Sequence, residues 1–305
     1  MTILAQCIPS GSPSRRALLT GALGGLSALA MPHAVRAQGE QRLVAAGGVA
    51  TEILYALGRE AILVGVDATS LHPPQAMREK PNVGYFRALS VEGVLSLRPT
   101  HILAVDGAGP PDALKLIAEA GVRVERVPED YTAQGVADRI RRIGRFVDAA
   151  QKADELAAQV DERFAALARE RDRITARKRV LFVLSLQNGR ALVGGRKTAA
   201  DAMIGLAGAQ NAADALEGYK PLTDEGIISA APDVILMMSH VNHAAAADEV
   251  FSRPAFSAVP AARTKALVAM DGLYLLGFGP RTPDAARDLM AAVYGPPAGQ
   301  QSARP

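Results

Sequence analysis

With 305 residues the chain is long enough for two lobes, each with its own core, and 49% hydrophobic content with 21% charged residues excludes a disordered polypeptide. Its net charge of +3 does not indicate a polyanion partner: Arg15, Arg16 and Arg36 lie in a 37-residue start that holds no acid, and the rest balances 31 basic against 31 acidic residues. Nucleic acid, which needs a sustained positive field, is therefore not expected.

The first elements in chain order belong to that basic start. Arg15-Arg16, a Gly/Ala/Leu stretch over 21–31, and Val35-Arg36-Ala37 before Gln38 read as a cleavable export signal spanning 1–37, cut after Ala37. The paired arginines resemble a twin-arginine signal. Cys7, the single cysteine, precedes the apolar stretch, so it is not the lipidated first residue of a mature lipoprotein. The mature chain then has neither disulfide nor thiolate chemistry.

Beyond residue 38, strand and helix patterns alternate: strand 42–46, helix 51–57, strand 62–66, helix 90–97, strand 101–105, helix 111–120 and strand 122–127. This alternation predicts an α/β lobe over 38–131 with a mostly parallel, Rossmann-like sheet. From 132 to 178 no strand pattern occurs. Ala149, Ala153, Leu156, Val160, Phe164 and Leu167 recur at spacings of three and four, which predicts, after a shorter helix, one long interdomain helix of about 25 residues and roughly 40 Å. A second α/β lobe over 179–296 follows, with strands at 180–185, 234–238 and 265–270 and helices at 199–207, 223–230 and 283–294. Residues 297–305 are a disordered tail. Gly47-Gly48 and Gly194-Gly195 read as strand-to-helix turns.

An internal repeat supports two like lobes: residues 89–103, LSVEGVLSLRPTHIL, align without a gap on 222–236, LTDEGIISAAPDVIL. Just upstream stand Gly84-Tyr85-Phe86-Arg87 and Gly218-Tyr219-Lys220. A cleft between the carboxyl ends of two such sheets is where these folds take ligands.

These residues resemble a known family, the binding proteins of ABC importers for cobalamin, iron siderophores and haem, whose two α/β lobes are joined by one long helix. The resemblance covers about Arg42 to Tyr294. The haem-binding branch is matched through residues 82–90 (NVGYFRALS), 197–204 (KTAADAMI), 218–222 (GYKPL) and 277–283 (GFGPRTP). It implies a periplasmic, monomeric carrier for iron acquisition that captures haem and delivers it to a dimeric permease, touching the membrane only through that partner. The tyrosine of the Gly-Tyr-x-Arg segment, an axial iron ligand in that branch, maps onto Tyr85. Some members add a histidine after the first strand of the second lobe; this chain has Leu186 and Gln187 there, which speaks against a histidine sixth ligand or a two-haem stack. Glutamates that pair with permease arginines in the family map onto Glu92 and Glu225, at one register of the repeat.

The chemistry of these residues suits that reading. Ferric iron is a hard acid and phenolate a hard anionic donor. A free tyrosine titrates at about pH 10, and Arg87, two residues away, supplies the cation a phenolate needs. Phe86 is placed to pack on a porphyrin, Tyr219 and Lys220 to meet its other face or a propionate, and Arg281 to meet a propionate. His240 and His243 lack a third ligand at a recognisable spacing, so no separate metal site is expected; His72 and His101 read as structural. The alternatives are a siderophore or cobalamin as ligand and, further off, an exported enzyme, for which the chain offers no nucleophile elbow, zinc-protease helix or dinucleotide fingerprint.

Overall fold

The computed structural model describes residues 41–187, 190–239 and 243–295. The export signal with Arg15, Arg16 and Cys7, His240 and the tail from 297 lie outside them, as does the His243 side chain. The first lobe runs β1 (Leu43–Ala46), α1 (Gly48–Ala56), β2 (Leu63–Val66), α2 (Gln75–Glu79), α3 (Val91–Ser96), β3 (His101–Val105), α4 (Pro111–Glu119) and β4 (Arg123–Val127). Its sheet has the order β2-β1-β3-β4 and is parallel throughout. β1, buried at all four positions, is the continuous apolar run that a parallel strand covered on both faces requires.

Two helices follow, α5 (Ala133–Phe146) and α6 (Ala150–Arg171). α6 has 22 residues and buries Ala153, Ala157, Val160, Phe164 and Leu167. It is shorter than the expected strut, about 33 Å at 1.5 Å per residue, and Ala157 takes the buried place expected for Leu156. Its tight packing on α5 depends on Gly144, where a Cβ would lie 2.1 Å from that of Ala153.

The second lobe contains β5 (Arg179–Gln187), β6 (Arg190–Gly194), α7 (Ala199–Leu206), β7 (Gln210–Asn211), β8 (Tyr219–Leu222), α8 (Asp224–Ala230), β9 (Val234–Met238), α9 (His243–Phe251), α10 (Pro254–Ser257), β10 (Leu267–Met270), α11 (Gly272–Leu276) and α12 (Thr282–Tyr294). The sheet order is β10-β9-β5-β6-β8, parallel over β10, β9 and β5 and antiparallel at β6 and β8. The two lobes share one apolar core, in which Leu43, Ile53 and Leu103 of the first are continuous with Ile140, Val160, Phe182, Leu236 and Leu289.

The internal repeat is present in three dimensions, 133 residues apart. Ser90 Oγ accepts from Gly93 N at 3.1 Å, and Thr223 Oγ1 from Gly226 N at 3.1 Å, each capping its helix. Arg98 (φ 48°) and Ala231 (φ 42°) both end those helices in the left-handed region. Arg42 Nη2 donates to Leu97 O at 2.7 Å, as Arg179 Nε donates to Ala230 O at 2.9 Å. The backbone N–H of Arg42 is received by Thr100 Oγ1, and that of Arg179 by Asp233 Oδ2. Sequence similarity is thus carried into identical hydrogen-bond roles.

Candidate ligand-binding cleft

The carboxyl ends of the first sheet carry four loops: Gly47-Gly48 after β1, 67–70 after β2, 106–109 after β3 and 128–131 after β4. Asp67, fully buried, accepts the N–H groups of Gly47 and Thr69 and the hydroxyls of Thr69 and Ser70, which locks the first two loops together. The segment bearing Tyr85 is pinned to this edge: Ala68 N donates to Gly84 O (2.8 Å), Gly109 N to Phe86 O (2.9 Å) and Leu89 N to Gly109 O (2.8 Å). Tyr85 is therefore a fixed residue that stays 47% exposed. The Phe86 ring meets it edge-on at 5.0 Å, and the Arg87 guanidinium carbon lies 4.8 Å from the Phe86 centroid.

Tyr219 comes from the second lobe, on edge strand β8, with its ring edge-on to Phe182. Its phenol is held above the ordinary value by burial first and then by the Glu129 carboxylate; Ala200 N–H, the Thr198 hydroxyl and Arg87 pull the other way. The loop after β4 carries a second phenol. There Tyr131 donates its O–H to Glu129, and burial followed by that bond pushes its phenol far above the normal range. The Tyr131 ring packs on Phe278 at 5.1 Å. Both phenols are neutral donors at physiological pH.

Behind them Arg139, 3% exposed on α5, donates to Phe278 O at 2.7 Å, Gly277 O at 3.3 Å and Pro128 O at 3.2 Å, so one buried cation ties the first lobe to the segment after α11. Phe278 itself is held at φ 48°. Arg281 is a second junction: its guanidinium makes a bidentate pair with nearly buried Glu52 of α1, at 3.0 and 2.8 Å, and lies over Tyr274.

The structure thus places Tyr85, Phe86 and Arg87 together at the carboxyl edge of the first sheet, and Tyr219 on edge strand β8 of the second. Lys220 follows on exposed β8. Arg281, expected to be free for a ligand carboxylate, has its fork filled by Glu52 and joins the lobes instead. Glu92 and Glu225 are exposed in the first turns of α3 and α8. His101 starts β3 as expected, bonded to Thr100 Oγ1 through Nδ1. His72 stands near Arg281, Glu52 and Asp271, its imidazole lowered chiefly by burial. Glu129, Tyr131, Arg139 and Glu52 were not anticipated; for Glu129 and Tyr131 the available signal was their position just past the carboxyl end of a parallel strand.

Two α/β lobes on a shared core, with polar and aromatic groups converging from both, define a cleft-type solute-binding protein. The family model described as periplasmic binding protein matches residues 43–273, and the chain belongs to that family. Among solved structures it is similar to the periplasmic heme-binding protein RhuT from Roseiflexus sp. RS-1 in apo form, at 39% identity over 84% of this chain and 98% of that one, with a TM-score of 0.79. It is also similar to the periplasmic heme-binding protein BhuT in complex with two hemes, at 38% identity, the same coverages and a TM-score of 0.78. A curated relative, the uncharacterized ABC transporter substrate-binding lipoprotein YvrC of Bacillus subtilis (strain 168), is 27% identical over 80% of this chain and 77% of its own length.

Proposed function

We propose that this protein is a periplasmic carrier that binds haem between its lobes and hands it to the permease of an ABC importer. The observation that carries the reading is the pinned, half-exposed Tyr85 with Phe86 and Arg87 beside it at the carboxyl edge of the first sheet. The Tyr85 oxygen ligates ferric iron as phenolate, a hard donor for a hard ion, and the Arg87 guanidinium stabilises that negative charge without giving up its own proton. Phe86 packs on the porphyrin, while Tyr219 and Lys220 meet the ligand from the second lobe. Similarity to two heme-binding proteins at 38–39% identity supports haem over other ligands of the class. The protein acts by binding, not catalysis, and as a monomer. Residues 1–37 direct export and are removed after Ala37, so mature protein begins at Gln38; an intact Met1 on periplasmic material would refute this.

Titration with ferric haem tests the proposal. A single equivalent should produce a Soret band and a high-spin charge-transfer band, and Tyr85→Phe should abolish the latter and weaken binding. A wild-type spectrum in Tyr85→Phe would remove Tyr85 from the site, and a preference for cobalamin or a ferric siderophore would replace haem as the ligand. Delivery rests on Glu92 and Glu225, which stand at one repeat register, as docking onto two permease subunits requires. Glu92→Ala/Glu225→Ala should bind haem normally yet fail to stimulate uptake by its permease in proteoliposomes; normal uptake would leave these acids as helix-dipole partners only.

A further inference from the structure

Arg87 projects from a short turn into a region with no carboxylate within ion-pair distance among the described residues, and a long side chain so placed has many rotamers open to it. Two neighbours restrict it. The Phe86 ring lies under its guanidinium carbon at 4.8 Å. On the β3–α4 loop Gly107 provides the other surface: a Cβ there would lie 2.7 Å from Arg87 Nη1, 3.2 Å from Cζ and 3.6 Å from Nη2, and its three nearest atoms all belong to this guanidinium. The group therefore lies across the bare backbone of Gly107. Gly107 also holds φ 78°, where glycine alone carries no steric cost.

We infer that Gly107 is a positioning residue of the ligand site: it and Phe86 form the two surfaces of a slot that holds the Arg87 guanidinium on the loop that carries Tyr85. The inference rests on the haem reading for its functional consequence, but the slot itself is a property of the ligand-free protein. Any side chain at 107 occupies the surface on which the exposed Arg87 guanidinium rests and shifts that group from its place over Phe86, away from the loop that carries Tyr85.

The test separates this from backbone strain by using Gly121, which has φ 88° and nothing within 4 Å of where a Cβ would lie. Gly121→Ala carries comparable strain and no eviction, so it should bind ferric haem with wild-type affinity and spectrum. Gly107→Ala should bind about tenfold more weakly, the equivalent of one charge-assisted hydrogen bond, with the charge-transfer band displaced as in Arg87→Ala. In an Arg87→Ala background, Gly107→Ala should have no further effect. In the ligand-free protein, the Arg87 Nε–H resonance should lose its ring-current shift from Phe86 in Gly107→Ala and keep it in Gly121→Ala. Wild-type haem binding by Gly107→Ala, or an undiminished effect in the Arg87→Ala background, would overturn the inference. An altered Arg87 resonance without haem binding by the wild-type protein would retain the slot and reject the haem reading.

Discussion

Replacing Arg139 by Met tests whether the lobes are joined through a buried cation. The bond to Phe278 O, 2.7 Å and fully buried, is charge-assisted and contributes about 1.5–3 kcal/mol. Those to Gly277 O at 3.3 Å and Pro128 O at 3.2 Å are longer and partly solvated, and together add about 1 kcal/mol. Against this stands the cost of burying a guanidinium, visible in the downward push that burial exerts on its proton affinity, and methionine recovers part of it, about 1 kcal/mol. The net expectation is a loss of about 1.5–3 kcal/mol, or roughly 3–6 °C in Tm for a chain of this size. Urea unfolding gives the free energy, and hydrogen exchange should show faster opening at Tyr131 and Phe278 than in β5 and β9. Stability within about 0.5 kcal/mol of wild type, with unchanged exchange, would refute the role given to Arg139.

Three further outcomes follow from the same geometry. Glu52→Gln leaves the Arg281 fork without its anion and should cost about 1–3 kcal/mol, read by urea unfolding, with partial recovery in Glu52→Gln/Arg281→Met. Gly144→Val should force α5 from Ala153 and cost at least about 2 kcal/mol, with a fall in Tm but no change in the ligand spectrum. Burial holds the imidazoles of His72 and His101 below their usual value, so as pH falls below about 6.5 the unfolded chain takes up protons that the folded one refuses. Their contribution to stability is complete above that pH and is lost down to the folded values. His72→Gln/His101→Gln should therefore flatten the dependence of the urea midpoint on pH between about 7.5 and 5; an unaltered slope would refute it.

What could be read from sequence follows the range of the forces involved. β3 and β9 match their predicted bounds, 101–105 and 234–238, because each is a short apolar run bounded by polar or turn residues. β8 went unread because Pro221 argues against a strand; it is accommodated because β8 is the sheet's edge, where one side needs no partner. α10 and α11, of four and five residues, are too short for a helical period to register. Tyr85, Phe86 and Arg87 were legible as one local motif. Arg139 and Phe278 stand 139 residues apart, Arg281 and Glu52 229 apart, and no spacing rule reaches so far. Arg281 could be recognised as important, but not as already paired.

The duplicated and the unduplicated parts of the molecule divide by task. Features repeated at 133 residues are helix caps and helix ends, together with Glu92 and Glu225 at matching positions beside the caps. The cleft residues do not repeat in this way. In the first lobe Tyr85 is carried on a pinned loop followed by Phe86 and Arg87; in the second Tyr219 is carried on an antiparallel edge strand followed by Lys220 and Pro221. β6 and β8 are antiparallel where the first lobe has only parallel strands, so its tyrosine is delivered by a different element. Glu129 adds a carboxylate near Tyr219, and the repeat supplies no second one to match it. The candidate residues of the two lobes are therefore unlike in chemistry: a phenol, a guanidinium and a carboxylate at Tyr85, Arg87 and Glu129 of the first, a phenol and an ammonium at Tyr219 and Lys220 of the second.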